Sequence, residues 1–373
     1  MIVCGIMTGT SCDGIDVAIC NFELINDNFS YELIYFEQFN FSRELQFQLK
    51  KIISDQIVDL KTLSQLNVAY TIEIADAVYN ALSSSNLTKV HLIGYHGQTL
   101  WHNPNQELFL GKNISSTYQL GNGTYLAARL KTKVIYDFRS ADIALGGQGA
   151  PLVPIFDYHF LKSTEENVIA LNIGGISNLT FLPANCDKHQ VIAFDCGPGN
   201  SLIDAASKHL FNSDFDNDGR LASQGHIIDK ILNELKQIEF IHQKPPKSTG
   251  KELFNEKLIL KYLQNYDKYD ILCSITEFTA YAIAENIKLY TNERAKIIVS
   301  GGGTYNGFLL QRLRNLLPNS KVISSLQAGI LPEAKEAIAF AFLAFCRENK
   351  IYGNLPSVTG ASSEALLGAI AEA

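Results

Sequence analysis

The chain has 373 residues, 46% of them hydrophobic and 18% charged, which is enough to bury two domain cores and is not the composition of a disordered chain. A formal net charge of −7 gives no basic footprint, so nucleic acid is not an expected partner, and no apolar run approaches the roughly 18 residues of a membrane span. The seven cysteines (Cys4, Cys12, Cys20, Cys186, Cys196, Cys273 and Cys346) form no Cys-x-x-Cys pair, so buried free thiols are expected rather than zinc ligands or disulfides. With no basic leader before the first apolar run, a signal peptide is not expected, and the reading is a cytoplasmic protein.

In chain order, Ile2 to Met7 reads as a strand, Thr8 to Gly14 as a tight polar turn, and Ile15, Val17 and Ile19 as the inward face of a return strand. The turn is rich in glycine and hydroxyls, and such a concavity can hold a phosphate. It has neither the Gly-Lys-Ser/Thr of a Walker loop nor the following helix of a Rossmann turn, and an ordinary hairpin fits it as well. A polar, aromatic stretch occupies 21–41, and 43–54 and 59–84 read as helices. In the second of these, Leu63, Leu66, Tyr70, Ile74 and Val78 lie on a broad apolar face. Val90 to Tyr95 reads as a strand ending in His96-Gly97-Gln98-Thr99, followed by a strand at Ser116 to Leu120, a helix over 126–130 and a strand at Val134 to Tyr136. Asp137-Phe138-Arg139 and a glycine-rich loop at 146–151 close this half.

A second cycle opens with a strand at Val168 to Ile173, the turn Gly174-Gly175-Ile176-Ser177-Asn178 and a return strand at 179–182. Strand, glycine turn, strand therefore occurs near the start of each half, as a weak internal repeat. Two related α/β domains with one hairpin each would face a ligand between them. Val191 to Phe194 reads as a strand and Asp195 to Gly199 as a turn, with Asn200 or Ser201 capping a helix over 201–210. Helices are further expected at 230–240, 270–289, 309–317, 333–347 and 362–371, with a strand at Lys296 to Val299.

Several residues invite chemistry. Asp195, at a strand end before a helix start, can be an ionised general base or merely a cap. Gly301-Gly302-Gly303 permits close approach of a flat or anionic group, or is a crowded turn. Asp214 to Gly219 begins like a calcium loop, but Gly225 stands at the twelfth position where a bidentate Glu is needed, so calcium is rejected. His96 can bind a polar ligand, whereas His91 and His102 read as structural, and the three match no zinc spacing. Ser248-Thr249-Gly250-Lys251 is not a P-loop; it reads as a closing loop or as a cap for a helix over 252–263.

The chain resembles the anhydro-N-acetylmuramic acid kinases, sugar kinases of the actin/Hsp70/hexokinase superfamily. The resemblance is carried by 5–16, His96-Gly-Gln-Thr99, Asp137-Phe-Arg139, 146–154, Asn172-Ile-Gly-Gly-Ile-Ser-Asn178, Phe194-Asp-Cys-Gly-Pro-Gly-Asn200, Pro245-Pro-Lys-Ser-Thr-Gly-Lys251 and Pro356-Ser-Val-Thr-Gly360. It implies an α/β fold of two actin-like (ribonuclease H-like) domains with a ligand cleft between them. The first would span 1–160, with 355–373 packing back on it, and the second 161–354. The implied reaction is hydrolytic opening of the 1,6-anhydro sugar and phosphorylation of oxygen 6 by ATP with Mg²⁺, in cell-wall sugar recycling. A same-fold kinase for another amino sugar and a non-catalytic sugar- or nucleotide-binding regulator are the alternatives.

On this resemblance the base falls on Asp195. ATP would be held by Gly9, Thr10, Ser11, Cys12, Asp13, Gly14, Ile15 and Asp16, by Gly174 and Gly175, and by Gly301, Gly302 and Gly303. Asp13 would orient metal-bound water. The sugar would meet His96, Gln98, Arg139 and Glu336, with Arg139 either pairing with the lactyl carboxylate or forming a salt bridge inside its own domain. The family also suggests a homodimer.

Overall fold

The computed structural model describes residues 1–250, 252–291 and 294–373; Lys251, the last residue of the Pro245–Lys251 run, therefore lies outside the described residues. The chain divides into two units, Met1–Phe160 with Ala334–Ala373, and Leu161–Glu333.

The first unit is built on β1 (Ile2–Thr8), β2 (Ile15–Ile25), β3 (Asn28–Phe39), β4 (Leu92–Phe109), β5 (Lys112–Leu120) and β6 (Val134–Tyr136). Its strand order is 3-2-1-4-6, with Ala369–Ala371 added beside β6 and β5 paired to the outer part of β4. β2 is antiparallel to both β1 and β3, whereas β4 is parallel to β1 and to β6. The second unit holds β7 (Asn167–Ile173), β8 (Ile176–Leu182), β9 (Ile192–Pro198), β10 (Ala295–Ser300) and β11 (Lys321–Ser324). Here the order is 9-8-7-10-11, with β8 antiparallel to its neighbours and β7, β10 and β11 parallel. With β5 set aside as an insertion on β4, both sheets run third, second, first, fourth, fifth with the second strand reversed, which is the actin-like, ribonuclease H-like topology in duplicate.

Burial explains why the central strands are nearly continuous apolar runs. One face of the first sheet carries helices Arg43–Asp55 and Leu60–Ser84, whose Leu45, Leu49, Tyr70, Ile74 and Val78 close a core with Cys4, Ile6, Val17 and Ile93. Helix Lys335–Glu348 lies on the other face, so close that a Cβ on Gly5 would strike the Ala337 carbonyl and one on Gly94 the Phe340 carbonyl. Phe342 of this helix meets Phe22, Phe29, Phe156 and Phe160 in an aromatic cluster. The second unit's core combines its sheet with helices Asn200–Phe211, Lys268–Lys288 and Gly307–Leu316.

Several expectations change. The chain re-enters the first unit at Ala334, not at 355, so helix Lys335–Glu348 belongs to that unit and not to 161–354. The stretch 21–41 is two long strands joined at Asn26-Asp27, whose φ values of 49° and 64° make a tight turn that matches strand twist. β4 does not end at Tyr95 but runs on through His96–Thr99, changing partners from β1 to β5. The helix expected over 230–240 breaks into Asp229–Leu235 and Glu239–His242, and the one over 252–263 is two short 3₁₀ turns. No closing helix forms at 362–371; Pro356–Thr359 is a single turn and Ala369–Ala371 is a strand.

Candidate active site

In the first unit, residues Gly9–Gly14 form the turn between β1 and β2. It closes by a Cys12 N–H to Gly9 carbonyl bond of 3.1 Å, with Cys12 in the left-handed region (φ 55°) and its side chain buried. Three side chains brace it. Gln98 Nε2 donates to the Gly9 carbonyl at 3.0 Å, and Gln46 Nε2 to the Cys12 carbonyl at 2.8 Å. Thr8 Oγ1 donates to the Gly97 carbonyl and pairs with the Tyr70 hydroxyl. Thr10 is exposed, Ser11 half-buried, and Gly14 and Ile15 are buried. Asp13 is exposed and 3.7 Å from Lys50, while Asp16 accepts from Gln38.

Beside the turn, β4 carries two buried polar residues, His96 and Gln98. Arg139 donates to His96 Nε2 through Nε (3.2 Å) and Nη2 (2.9 Å), and to the Gly149 carbonyl through Nη1 (2.7 Å). A cation donating twice to Nε2 requires a lone pair there, so the ring is neutral with its proton on Nδ1. Burial and the Arg139 charge both hold His96 well below the usual histidine range. Nδ1 of His96 and Oε1 of Gln98 are buried and have no partner among the described residues. Burial pulls Arg139 down to about 10, against the opposing effect of Glu336, whose own carboxyl is raised by burial and lowered by Lys335 and Arg139. Among the described residues the hydrogen bonds of Arg139 go to a ring and a carbonyl, not to a carboxylate, and use three of its five N–H groups.

In the second unit, the β7–β8 turn is only Gly174-Gly175; Ile176, Ser177 and Asn178 already belong to β8. Its carbonyls accept the Gly199, Asn200 and Ser201 N–H groups at 2.9, 2.8 and 3.1 Å. The turn therefore caps helix Asn200–Phe211, and neither Asn200 nor Ser201 does so; the N-cap residue is Gly199, which has no side chain.

Asp195 lies within β9, opposite Asn178, rather than in a turn after it. Its N–H reaches the Lys247 carbonyl at 3.3 Å, and its Oδ2 accepts the Thr249 N–H at 2.9 Å. Burial pushes its carboxyl up to about 6, opposed by the Thr249 N–H and Lys247 and assisted by Glu252. This corrects the expectation that helix N–H groups favour its charged form: desolvation dominates, and the donor comes from the Pro245–Gly250 loop. Lys247 and Thr249 thus join Asp195 in the candidate site, and neither was given a role from the sequence. The Pro-Pro-Lys-Ser-Thr-Gly run was visible in the sequence, but nothing local connected it to Asp195.

The three glycines after β10 separate in role. A Cβ on Gly301 (φ 77°) would meet Asn172 Oδ1 at 2.5 Å, and one on Gly303 the Ile173 side chain, so these two are glycines for packing. A Cβ on Gly302 would find only Asn200 Nδ2, at 3.5 Å. Gly302 lines a cavity of about 310 Å³ together with Asn200, Ile203, Asp204, Phe215, Asp216, Asn217, Asp218, Tyr305 and Asn306. That volume suits a nucleoside-sized group. The Asp214–Gly219 loop, rejected for calcium, forms one wall. Asp216 accepts the Leu221 and Ala222 N–H groups, each at 2.9 Å, and Asp218 the Gly307 N–H at 3.1 Å.

Duplicate actin-like units, each opening on a two-strand glycine turn, define an actin-like α/β protein of two units. A sequence profile of the anhydro-N-acetylmuramic acid kinases matches residues 1–373. Relatives with that name in Bacillus thuringiensis subsp. konkukian (strain 97-27) and Bacillus cereus (strain AH820) are each 38% identical over 380 residues, covering 99% of this chain and 99% of their own. A solved structure, the activator of the 2-hydroxyisocaproyl-CoA dehydratase from Clostridium difficile with bound ADPNP, is similar at a TM-score of 0.45 and 12% identity, covering 94% of this chain and 96% of that one. The chain belongs to the anhydro-N-acetylmuramic acid kinase family. Among the described residues, no helix is long and apolar enough to cross a membrane.

Proposed function

We propose that this protein is an ATP-dependent kinase that opens 1,6-anhydro-N-acetylmuramic acid with water and phosphorylates oxygen 6, giving N-acetylmuramic acid 6-phosphate for the recycling of cell-wall sugar. The observation that carries the reading, beside membership of the family, is the half-buried carboxylate of Asp195, held at Oδ2 by the Thr249 N–H and poised near 6. A carboxyl in that range is largely ionised at neutral pH and still basic enough to take a proton in a transition state.

Asp195 takes a proton from the water that attacks the anomeric carbon. The new C1–O bond forms as the C1–O6 bond breaks, and the electron pair goes to oxygen 6. Oxygen 6 then attacks the γ-phosphorus, and the bond to the bridging oxygen of ADP breaks. No second carboxylic acid protonates the leaving oxygen, as one would in an ordinary glycosidase, because the phosphoryl group captures it. Phosphoryl transfer of this kind rests on positioning and charge neutralisation.

The turn over Gly9, Thr10, Ser11, Cys12, Asp13, Gly14, Ile15 and Asp16 holds the β- and γ-phosphates, and Gln98 fixes its shape through the Gly9 carbonyl. Gly174 and Gly175 contribute main-chain groups to the phosphates, and the cavity at Gly302 takes the nucleoside. The Nδ1–H of His96 and the remaining N–H groups of Arg139 address the sugar and its lactyl carboxylate, with Glu336 balancing the Arg139 charge. Mg²⁺ would be carried mainly by the ATP phosphates and by water. The exposed Asp13 carboxylate would orient that water, and the ion would supply neutralisation of phosphate charge.

Asp195→Asn tests the assignment in an ADP-release assay with the anhydro sugar. Turnover should fall by about 10²–10⁴-fold while ATP binding stays nearly intact. A variant with near-normal kcat overturns the role of Asp195.

A further inference from the structure

The loop that follows Glu239–His242 does more than cover β9. Asp195 is held there at two atoms: its N–H by the Lys247 carbonyl and its Oδ2 by the Thr249 N–H. Lys247 is in turn fixed from inside. Its ammonium donates to the Phe240 carbonyl at 2.8 Å and to the Ile241 carbonyl at 3.3 Å. It lies 4.6 Å from the centre of the Phe240 ring and 5.7 Å from that of Phe194, the neighbour of Asp195. Among the described residues no carboxylate forms a contact ion pair with it, and the cation is met by carbonyl dipoles and ring faces. An ammonium held this way keeps a fixed place, and its field falls on whatever lies beside it.

We propose that Lys247 is a positioning residue for the catalytic carboxylate, fixing Asp195 through the loop backbone and biasing it toward its charged form through the anchored ammonium. The inference rests on the reading of Asp195 as the base. Among the described residues, few charged or titratable groups act on the pair. Lys247 favours the Asp195 anion, Glu252 of the same loop opposes it, and the buried Cys196 thiol adjoins both. Opposite Asp195, β8 presents the neutral Asn178, and helix Lys268–Lys288 presents the Asn286 amide, which donates to the Cys196 and Ile241 carbonyls. Burial lowers Lys247 to about 8, so it is mostly cationic at neutral pH.

The test is the pH profile of kcat/KM for the anhydro sugar, with thermal melting measured in parallel. In Lys247→Met the lost cation should move the acid limb upward by about one pH unit, the low end of what a neighbouring opposite charge does to a carboxyl. Lys247→Arg keeps the charge and should restore the limb toward its wild-type position. Glu252→Gln, at an exposed residue, removes the opposing charge and should move the limb downward; this variant decides the electrostatic part if Lys247→Met does not fold. A limb that stays in place in both Lys247→Met and Glu252→Gln, whatever happens to the melting temperature, overturns the proposal. Asp195→Asn separates the two failures. If it is inactive while the limb stays fixed, only the role of Lys247 falls; if it stays active, both readings fall.

Discussion

His96 is buried and Asp195 half-buried, and loss of solvent acts on the two titratable groups in opposite chemical senses. It disfavours the charged form of each, raising the aspartate and lowering the histidine. His96 is therefore a neutral hydrogen-bond donor across the physiological range, not a proton shuttle, whereas Asp195 titrates just below it. The sign of the pH dependence follows. A base must be deprotonated, so kcat/KM should rise with pH through an apparent value of about 6. His96, held well below 6.5, should add no inflection there. A kcat/KM profile that is flat from pH 5 to 7 would remove Asp195 from the proton-transfer step. An inflection that survives in Asp195→Asn at reduced rate would point to another group.

Elements show where local pattern suffices and where it does not. The strands β1, β7 and β10 and the long helices Leu60–Ser84 and Lys268–Lys288 were legible because apolar period and buried face agree. β3 was missed because its exposed residues alternate with mostly aromatic ones that are only half-buried on a sheet edge, a strand signal weaker than a buried apolar face, and the turn at Asn26-Asp27 was not read. The last segment read as helix because Ala and Leu dominate it, yet Ala369–Ala371 pairs with β6, a tertiary choice that propensity does not report. The candidate site divides the same way. Glycine turns could be read from sequence, but the Thr249 bond to Asp195 and the Arg139 bonds to His96 join residues far apart in the chain. The glycine triplet yields the sharpest element-scale prediction. Gly301 and Gly303 are required by packing, but Gly302 is open on the cavity side. Gly302→Ala should therefore melt close to wild type, since alanine is acceptable in a short helical turn. The KM for ATP should nevertheless rise by roughly tenfold or more, the usual cost of one extra carbon in a fitted pocket. An unchanged KM for ATP would move the nucleoside out of this cavity.

At the scale of the whole molecule, one topology occurs twice but the proposed chemistry does not. The hairpin over 9–16, His96, Gln98, Arg139 and Glu336 belong to the first unit; Asp195, its Lys247–Thr249 loop and the cavity at Gly302 belong to the second. Each unit has a glycine turn between its first two strands, and the two turns are built differently. The first is closed by its own Cys12 N–H to Gly9 carbonyl bond and braced by Gln46 and Gln98, whereas the second turns its carbonyls to a helix. This asymmetry matters for which sugar the enzyme accepts. In an inverting displacement at the anomeric carbon, water enters on the face opposite the leaving oxygen. A base placed for that water is therefore on the wrong side to deprotonate oxygen 6. With the anhydro sugar this is no obstacle, because ring opening delivers oxygen 6 already bearing the electron pair that attacks phosphorus. Free N-acetylmuramic acid has the same ring substituents and lactyl group, so Arg139 and His96 could still bind it. Its 6-hydroxyl, however, carries a proton that a base serving the anomeric water would not take on this mechanism. Comparing the two sugars by ADP release should give a kcat lower by about 10²-fold or more for the free sugar, the scale of losing a positioned base, while KM changes much less. Equal kcat for the two would mean that a base serves the 6-hydroxyl directly. The protein would then be a hexose-type kinase in mechanism, and Asp195 would have to be reassigned to oxygen 6.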